Sequence, residues 1–137
     1  GGYWADMCRT YPIGDPSPRL RDALRVTSEA LDLAETIVRP GVRAADLDRA
    51  LRAHQSAWDP PAGDYFHLTG HGIGMRPHEA PWIATDGDEM FAVGDVLAIE
   101  PAVYADDLRG GVRIEDDYVV VEGGVRRLSR LQRHWGI

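Results

Sequence analysis

Aromatic, apolar and polar residues roughly alternate from Gly2 to Tyr11 at the start of the chain. A two-residue period is typical of a strand that buries one face. Pro12, Gly14 and Asp15 follow directly, and residues of these types form turns. The N-terminal pattern therefore predicts a strand that is followed by a turn.

The next segment has the spacing of a helix, with apolar residues three and four positions apart over residues 20–38. Ser17 or Asp15 can cap this helix, and Pro18 suits its first turn. Pro40 and the glycine after it end the pattern. The spacing predicts one helix of about five turns.

A second helix is predicted from about Ala44 to Trp58, where apolar residues share one face with His54. We interpret His54 as a histidine at the boundary of the core. Residues 59–63 contain two prolines and a glycine, and they predict a loop.

The period then changes to short strands. They are predicted at Tyr65 to Thr69, Val96 to Tyr104, Gly111 to Val121 and Val125 to Ser129, the last pair joined by a hairpin turn at the Gly-Gly pair 123–124. Helices and strands segregated in this way indicate the α+β class, with two helices on one face of a curved, mostly antiparallel sheet. We expect residues 1–137 to form a single domain.

Composition narrows the function classes. The 137 residues are 44% hydrophobic and 27% charged, which is typical of one globular domain. The net charge of −7 argues against nucleic-acid binding, because the arginines are scattered and form no basic patch. With no apolar run of membrane-spanning length and a single cysteine, Cys8, we expect a soluble cytoplasmic protein without membrane contact.

Three carboxylates and one imidazole stand in or beside apolar, strand-like runs: Asp6, His71, Glu100 and Glu115. Burying an unpaired carboxylate is costly unless it is neutralised, hydrogen-bonded or bound to a metal. A donor set rich in oxygen with a single nitrogen suits manganese, cobalt, iron or zinc better than a metal that prefers thiolates. These residues predict a divalent metal site.

Two further histidines extend the candidate site. His67 precedes His71 by four residues, but alternate glycines around His71 disfavour a helix, and the HExxH signature of zinc peptidases is absent. The glycines predict that the backbone approaches a ligand closely there. His78 follows Pro77, so a stiff turn could hold it as a proton donor or oxyanion stabiliser. The alternative for each histidine is that it lies in a surface loop and has no function.

Structural alternatives exist for the acidic residues as well. Glu115 could form an ion pair with Arg113 on the same strand face, and Asp6 could pair with Arg9. We interpret the adjacent residues 116 and 117, both aspartates, as exposed charges at a sheet edge. Cys8 is interpreted as a small buried hydrophobe.

Taken together, four segments resemble the pita-bread metallopeptidases, the family of methionine aminopeptidase, Xaa-Pro aminopeptidase and prolidase. The similarity lies in YWADMCRT, HLTGHGIGMRPHEAP, IEPAVY and GVRIEDDYVV and covers nearly the whole chain. The residues from Arg113 to Asp117 and the His78-Glu79 pair are more similar to the Xaa-Pro branch than to methionine aminopeptidase. The resemblance implies the C-terminal portion of a pita-bread catalytic domain.

The resemblance also implies two divalent metal ions in the intact site, with manganese expected first and cobalt, zinc or iron as alternatives. Asp6 and Glu115 would bridge the two ions, and His71 and Glu100 would complete one metal position. The second position would need a further aspartate, which here would precede Gly1. We therefore expect the chain to be part of a longer protein and to be inactive, or nearly so, by itself.

By the same resemblance, Glu100 would take a proton from the attacking water and return it to the leaving nitrogen. His78 would hydrogen-bond the oxyanion, while His67 would orient the substrate. These two histidines and Arg113 would contact the substrate. Cys8 stands where the family usually has threonine, and we expect this difference to be tolerated because the residue is not a ligand.

The expected function is hydrolysis of Xaa-Pro peptide bonds by a metal-dependent exopeptidase of the aminopeptidase P or prolidase type. Its substrate would be a peptide with proline in the second position. Two alternatives remain open: a non-catalytic relative that binds peptides or proteins, and a C–N hydrolase for a small guanidino or amide substrate. We expect exposed apolar surface, and hence a homo-oligomer or pairing with a complementary N-terminal half.

Overall fold

A computed structural model of the chain describes residues 1–133. Its regular elements are α1 (Pro18–Ile37), α2 (Ala44–Trp58), β1 (Gly70–Gly72), β2 (Glu79–Ile83), β3 (Val96–Ile99), β4 (Ala102–Ala105), β5 (Gly110–Arg113), β6 (Asp116–Val121) and β7 (Gly124–Arg127). Short 3-10 helices span Pro60–Gly63 and Asp106–Leu108. The first of these replaces the loop predicted over residues 59–63.

The strands form one five-stranded sheet in the order β2-β1-β3-β6-β7 and a separate hairpin of β4 and β5. Every described strand pair is antiparallel. The two helices pack against each other, and both contact strands. This arrangement confirms the predicted α+β class.

The helices begin and end where local sequence signals predict. The Ser17 hydroxyl accepts a hydrogen bond from the Leu20 backbone N–H at 3.2 Å and so caps α1, and Pro18 is its first residue. The second helix spans Ala44–Trp58, the predicted range. Both predictions are confirmed. The helices can be predicted from the sequence because helix signals lie within a few residues of each other in the chain.

One hydrophobic core joins the helices to the strands. Its largest fully buried apolar side chains are Leu24, Leu31, Leu47, Leu51, Ile83, Phe91, Leu97, Ile99, Ile114 and Tyr118. Burial of apolar area at about 25 cal/mol per Å² is the main favourable term that fixes the helices against the sheet.

The prediction of a strand from Gly2 to Tyr11 is wrong. Residues 1–11 carry no regular secondary structure. Instead, the Trp4 backbone N–H donates to the Gly74 carbonyl at 2.9 Å, and the Cys8 carbonyl accepts from the Glu115 backbone N–H at 3.0 Å. These single hydrogen bonds to two separate segments attach the N-terminal segment without forming a ladder.

The strand predicted from Tyr65 to Thr69 is also wrong, because this segment is irregular and β1 begins at Gly70. Both longer predicted strands are interrupted. Residues 100–101 separate β3 from β4, and residues 114–115 separate β5 from β6. Pro101 has no backbone N–H to donate to a ladder, which favours the first interruption. Each interruption contains one of the candidate glutamates.

The two aspartates of β6 are buried, so the prediction of exposed edge charges is wrong. Asp116 pairs with Arg9 at 2.5 Å and with Arg133 at 2.7 Å. Asp117 accepts a hydrogen bond from the Asp6 backbone N–H at 3.2 Å. The inner position of β6 in the sheet accounts for this burial. The burial is tolerated because each carboxylate accepts a hydrogen bond from a nearby donor.

Among the described helices, none combines the length and the apolar character that a membrane span requires.

The glycines of β1 allow close contact between strands. A Cβ on Gly70 would collide with the Ala98 carbonyl of β3, and one on Gly72 would collide with the Ala80 carbonyl of β2. The close approach predicted from these glycines is therefore to neighbouring strands rather than to a ligand. It allows His71, between the two glycines, to lie within the packed sheet.

Replacing Gly72 with alanine tests this packing. Because the new Cβ would overlap the Ala80 carbonyl, we expect the free energy of unfolding to fall by about 1–3 kcal/mol. Urea denaturation measures the change. Gly110→Ala in β5 is the matched control, since a Cβ there has no atom within 4 Å. Equal losses in the two variants would contradict the prediction.

Candidate metal centre

The structure brings Asp6, His71, Glu100 and Glu115 together in one acid–histidine cluster. His71, Glu100 and Glu115 each offer a ligand atom, and these three atoms lie within 4.8 Å of one another. Asp6 forms a second such group with His71 and His78, also within 4.8 Å. The sequence prediction that distant acidic residues converge on one imidazole agrees with these positions.

Three neighbouring strands position the cluster. His71 lies in the middle of β1, Glu100 directly follows β3, and Glu115 directly precedes β6. In the antiparallel register, His71 pairs with Ala98, which in turn pairs with Asp117. The end of β3 and the start of β6 therefore lie next to β1, although the three residues are far apart in sequence.

Asp6 joins the cluster through its backbone. Its N–H donates to the two Asp117 carboxylate oxygens at 3.2 and 3.4 Å. Arg9, three residues later, donates to the Glu115 carbonyl at 2.6 Å and pairs with Asp116. Arg9 therefore pairs with Asp116 and not with Asp6, the partner considered from the sequence, and the Asp6 carboxylate remains available to the cluster.

Burial and mutual repulsion change the acidity of the cluster. Burial raises the pKa of Glu100 to about 7, with Arg113 opposing the shift and Asp6 adding to it. Burial raises the pKa of Glu115 to about 8, and the charges of Glu100 and Asp6 act in the same direction. Burial also raises the pKa of Asp117 to about 6. Each shift disfavours the negative charge, so a cation among these groups would be stabilising.

One ring nitrogen of His71 provides an independent indication of a ligand. Nδ1 lies 3.0 Å from the Gly72 carbonyl and can only donate to it, so Nε2 carries the lone pair in the neutral ring. Nε2 is buried, has no hydrogen-bond partner among the described residues, and lies 3.6 Å from the Glu100 Oε1 atom. Burial lowers the pKa of His71. A neutral imidazole facing carboxylates fits a divalent cation between them.

His67 lies beside Glu100 on the irregular segment before β1. Its Nδ1 atom is 2.6 Å from the Leu68 carbonyl and 3.8 Å from the Glu100 Oε2 atom. Its Nε2 atom is 3.1 Å from the Tyr104 hydroxyl. Burial lowers the pKa of His67, which favours the neutral ring. The sequence predicted a role for His67 but not its contact with Tyr104.

His78 is exposed, and its ring centroid lies 4.1 Å from that of His71. The segment before β2 thus places an exposed imidazole next to the cluster.

Arg113 lies at the end of β5, and its Nη1 atom is 3.5 Å from the Glu100 Oε2 atom. The alternative ion pair with Glu115 is not found among the described residues. The Cys8 side chain is the main cause of the raised pKa of Arg113. Cys8 is half-buried, so its interpretation as a buried hydrophobe is wrong.

Sequence reasoning missed two polar residues on the buried side of α2. Asp48 is fully buried, and Arg52, four residues later, pairs with it at 2.9 Å. A signal was present, since Asp48 falls beside Leu47 and Leu51 on the apolar side of a predicted helix, where a lone acid requires a partner. Tyr104 had no comparable signal.

Comparison with known proteins gives a consistent result. A model of the metallopeptidase family M24 matches residues 1–122. The Xaa-Pro dipeptidase of Pyrococcus furiosus is 36% identical over 132 residues, which cover 96% of this chain and 37% of that protein.

Solved structures extend the similarity to the fold. The prolidase of Pyrococcus horikoshii OT3 superimposes with a TM-score of 0.89 at 32% identity, over 96% of this chain and 38% of that one. The X-Pro aminopeptidase of Thermotoga maritima MSB8 gives a TM-score of 0.88 at 33% identity, over 96% and 37%.

The chain therefore spans slightly more than a third of the length of these relatives. The predicted pita-bread fold is confirmed by the match to the prolidase structures. Because the family model covers most of the chain, and the acid–histidine cluster lies within the matched residues, this chain belongs to the metallopeptidase family M24.

Proposed function

We propose that this chain supplies catalytic residues to a metal-dependent exopeptidase that hydrolyses Xaa-Pro peptide bonds. The observation that carries the proposal is the acid–histidine cluster, in which the unpartnered His71 Nε2 atom faces buried carboxylates. The relatives add support, since they include an Xaa-Pro dipeptidase and an X-Pro aminopeptidase. A module that only binds peptides has no physical need for buried carboxylates with such raised pKa values.

The proposed cofactor is a pair of divalent ions in the intact site, with manganese first and cobalt, zinc or iron as alternatives. Asp6, His71, Glu100 and Glu115 would hold the ions. Such ions supply Lewis acidity and make water more acidic. The donor set fits this group, because it offers carboxylate oxygens and one neutral imidazole nitrogen.

The chain's own residues have distinct proposed roles. Glu100 would accept a proton from the attacking water and return it to the leaving nitrogen. His78, exposed beside His71, would donate a hydrogen bond to the oxyanion. His67 would orient the substrate, and the half-exposed Arg113 would contact it through its positive charge.

The titration of Glu115 predicts how stability depends on pH without metal. Its pKa is about 8 in the folded protein and near 4.5 in the unfolded chain. Between these pH values the folded state therefore binds one more proton than the unfolded state. Stability from this group is therefore present below about pH 4.5 and is lost as the pH rises to about 8. We expect Glu115→Gln to become more stable relative to the wild type over this range, by up to about 1.4 kcal/mol per pH unit.

Chemical denaturation from pH 4.5 to pH 8 measures this difference. Added Mn²⁺ at pH 8 should stabilise the wild type and have much less effect on Glu115→Gln. Glu122→Gln is the matched control, because this exposed glutamate follows the other end of β6. A Glu115→Gln difference that does not change with pH, together with an unchanged response to Mn²⁺, would exclude Glu115 from the metal centre.

The activity itself is tested in the complete protein with Mn²⁺ and an Xaa-Pro dipeptide. We expect turnover by the wild type and a loss in kcat of about 10²–10³-fold in His78→Ala, because an oxyanion donor acts mainly in the transition state. His54→Ala is the control, since His54 lies on α2 and is paired with Glu29 at 3.8 Å. Absence of Xaa-Pro hydrolysis by the metal-loaded wild type would refute the proposed function.

We propose that the protein acts in the cytoplasm, as its single cysteine suggests. We also propose that the chain associates with itself or with a complementary N-terminal half. Supporting this, apolar side chains of the N-terminal segment are exposed, namely Tyr3, Trp4, Met7, Tyr11 and Ile13. We expect sedimentation velocity to show association of the isolated chain. A stable monomer at micromolar concentration would contradict this expectation.

A further inference from the structure

Asp48 and Arg52 of α2 form a polar pair behind the acid–histidine cluster, here termed the α2 clamp. Neither residue belongs to the proposed metal ligands or to the substrate contacts. Asp48 is fully buried and Arg52 is mostly buried, and their side chains are joined at 2.9 Å. Such a pair is costly to bury unless its remaining hydrogen-bonding groups are satisfied.

Arg52 satisfies its donors on the backbone of the segment before β1. Nη1 donates to the carbonyls of Gly63 and Tyr65 at 3.0 and 3.1 Å, and Nη2 donates to the carbonyl of His67 at 2.9 Å. The guanidinium carbon also lies 4.0 Å from the centroid of the Tyr65 ring. One side chain thus contacts three carbonyls of a segment that has no strand pairing.

Asp48 holds the other end of the same segment. Its Oδ1 atom accepts a short hydrogen bond from the Thr69 hydroxyl, and its Oδ2 atom accepts one from the Thr85 hydroxyl at 2.6 Å. The Tyr65 hydroxyl lies 2.7 Å from the Thr69 hydroxyl and completes the network. The clamp therefore fixes residues 63–69 through side chains where a β-ladder is missing.

The clamped segment carries two parts of the candidate site. His67 lies within it, and its imidazole is 3.8 Å from the Glu100 carboxylate. The Thr69 carbonyl accepts the Glu100 backbone N–H at 2.8 Å, so the same segment also positions Glu100. A shift of residues 63–69 would move both side chains relative to the remaining ligands.

We propose that Asp48 and Arg52 are positioning residues that set the placement of His67 and Glu100 from behind the site. This inference rests on the proposed function for its effect on turnover. The structural part of the inference is independent of the proposed function, because it concerns only contacts between α2 and residues 63–69. Lysine cannot replace Arg52, since a single ammonium group cannot reach Asp48 and three carbonyls in the planar arrangement of a guanidinium.

The test compares Arg52→Lys with Arg49→Lys in the complete protein with Mn²⁺. Both residues lie on α2 and pair with an aspartate, but Arg49 is exposed and donates to the Thr85 carbonyl rather than to residues 63–69. We expect Arg52→Lys to lower kcat by about 10–100-fold and Arg49→Lys to leave it unchanged. Tyr65→Phe, which removes one contact to Thr69, is a milder second variant with a smaller loss in kcat.

A double-mutant cycle with His67→Ala separates positioning from general loss of stability. In the His67→Ala background, Arg52→Lys should cause a much smaller further loss, because the main group that it positions is absent. Hydrogen exchange provides a readout without turnover: the amide protons of Thr69 and Glu100 should exchange faster in Arg52→Lys and Tyr65→Phe, while those of β6 keep their rates.

Equal losses of activity in the wild-type and His67→Ala backgrounds would overturn the positioning of His67, and unchanged exchange at Thr69 and Glu100 would overturn the positioning of Glu100. If the wild type does not hydrolyse Xaa-Pro substrates, the proposed function fails. The exchange rates then decide by themselves whether the α2 clamp positions residues 63–69.

Discussion

The site depends on the electrostatic repulsion among Asp6, Glu100 and Glu115, which meet beside the imidazole of His71. Burial raises the pKa of Glu100 to about 7 and that of Glu115 to about 8, and the charge of Asp6 adds to both shifts. The orientation of His71, with its lone pair towards Glu100, adds to this unfavourable field. A divalent cation would relieve both effects, which connects the fold to the chemistry of family M24.

The sheet delivers these residues because its strands end at the required places. Antiparallel pairing of β1, β3 and β6 places the end of β3 next to the start of β6. Both longer runs of strand-forming residues are interrupted at a glutamate, and each glutamate uses its backbone N–H to bind a segment outside the ladder. The glycines of β1 permit the close packing of strands around His71. The three carboxylates of the cluster thus lie in irregular parts of the chain, whereas His71 lies within β1.

Buried ion pairs hold the irregular segments in place at two positions in the fold. Asp116 binds Arg9 and Arg133, which fixes the N-terminal segment next to the last described residues. The Arg9 guanidinium also donates to the carbonyls of Leu131 and Gln132 at 2.9 and 2.8 Å. The α2 clamp has the same function for residues 63–69. In each case arginine satisfies backbone carbonyls that a strand would otherwise pair.

Both helices, the α+β class and the members of the acid–histidine cluster follow from the sequence by itself. Helix caps and spacing are local, and a carboxylate next to an apolar run indicates that a hydrogen-bond donor, a positive charge or a metal lies beside it. The irregular path of the N-terminal segment, the burial of Asp116 and the contacts of Arg52 were decided only by the tertiary structure. Strand pairing and the burial of a charge depend on partners distant in sequence, as the 107 positions between Arg9 and Asp116 illustrate. No local pattern specifies such partners, because they exist only once the chain has folded.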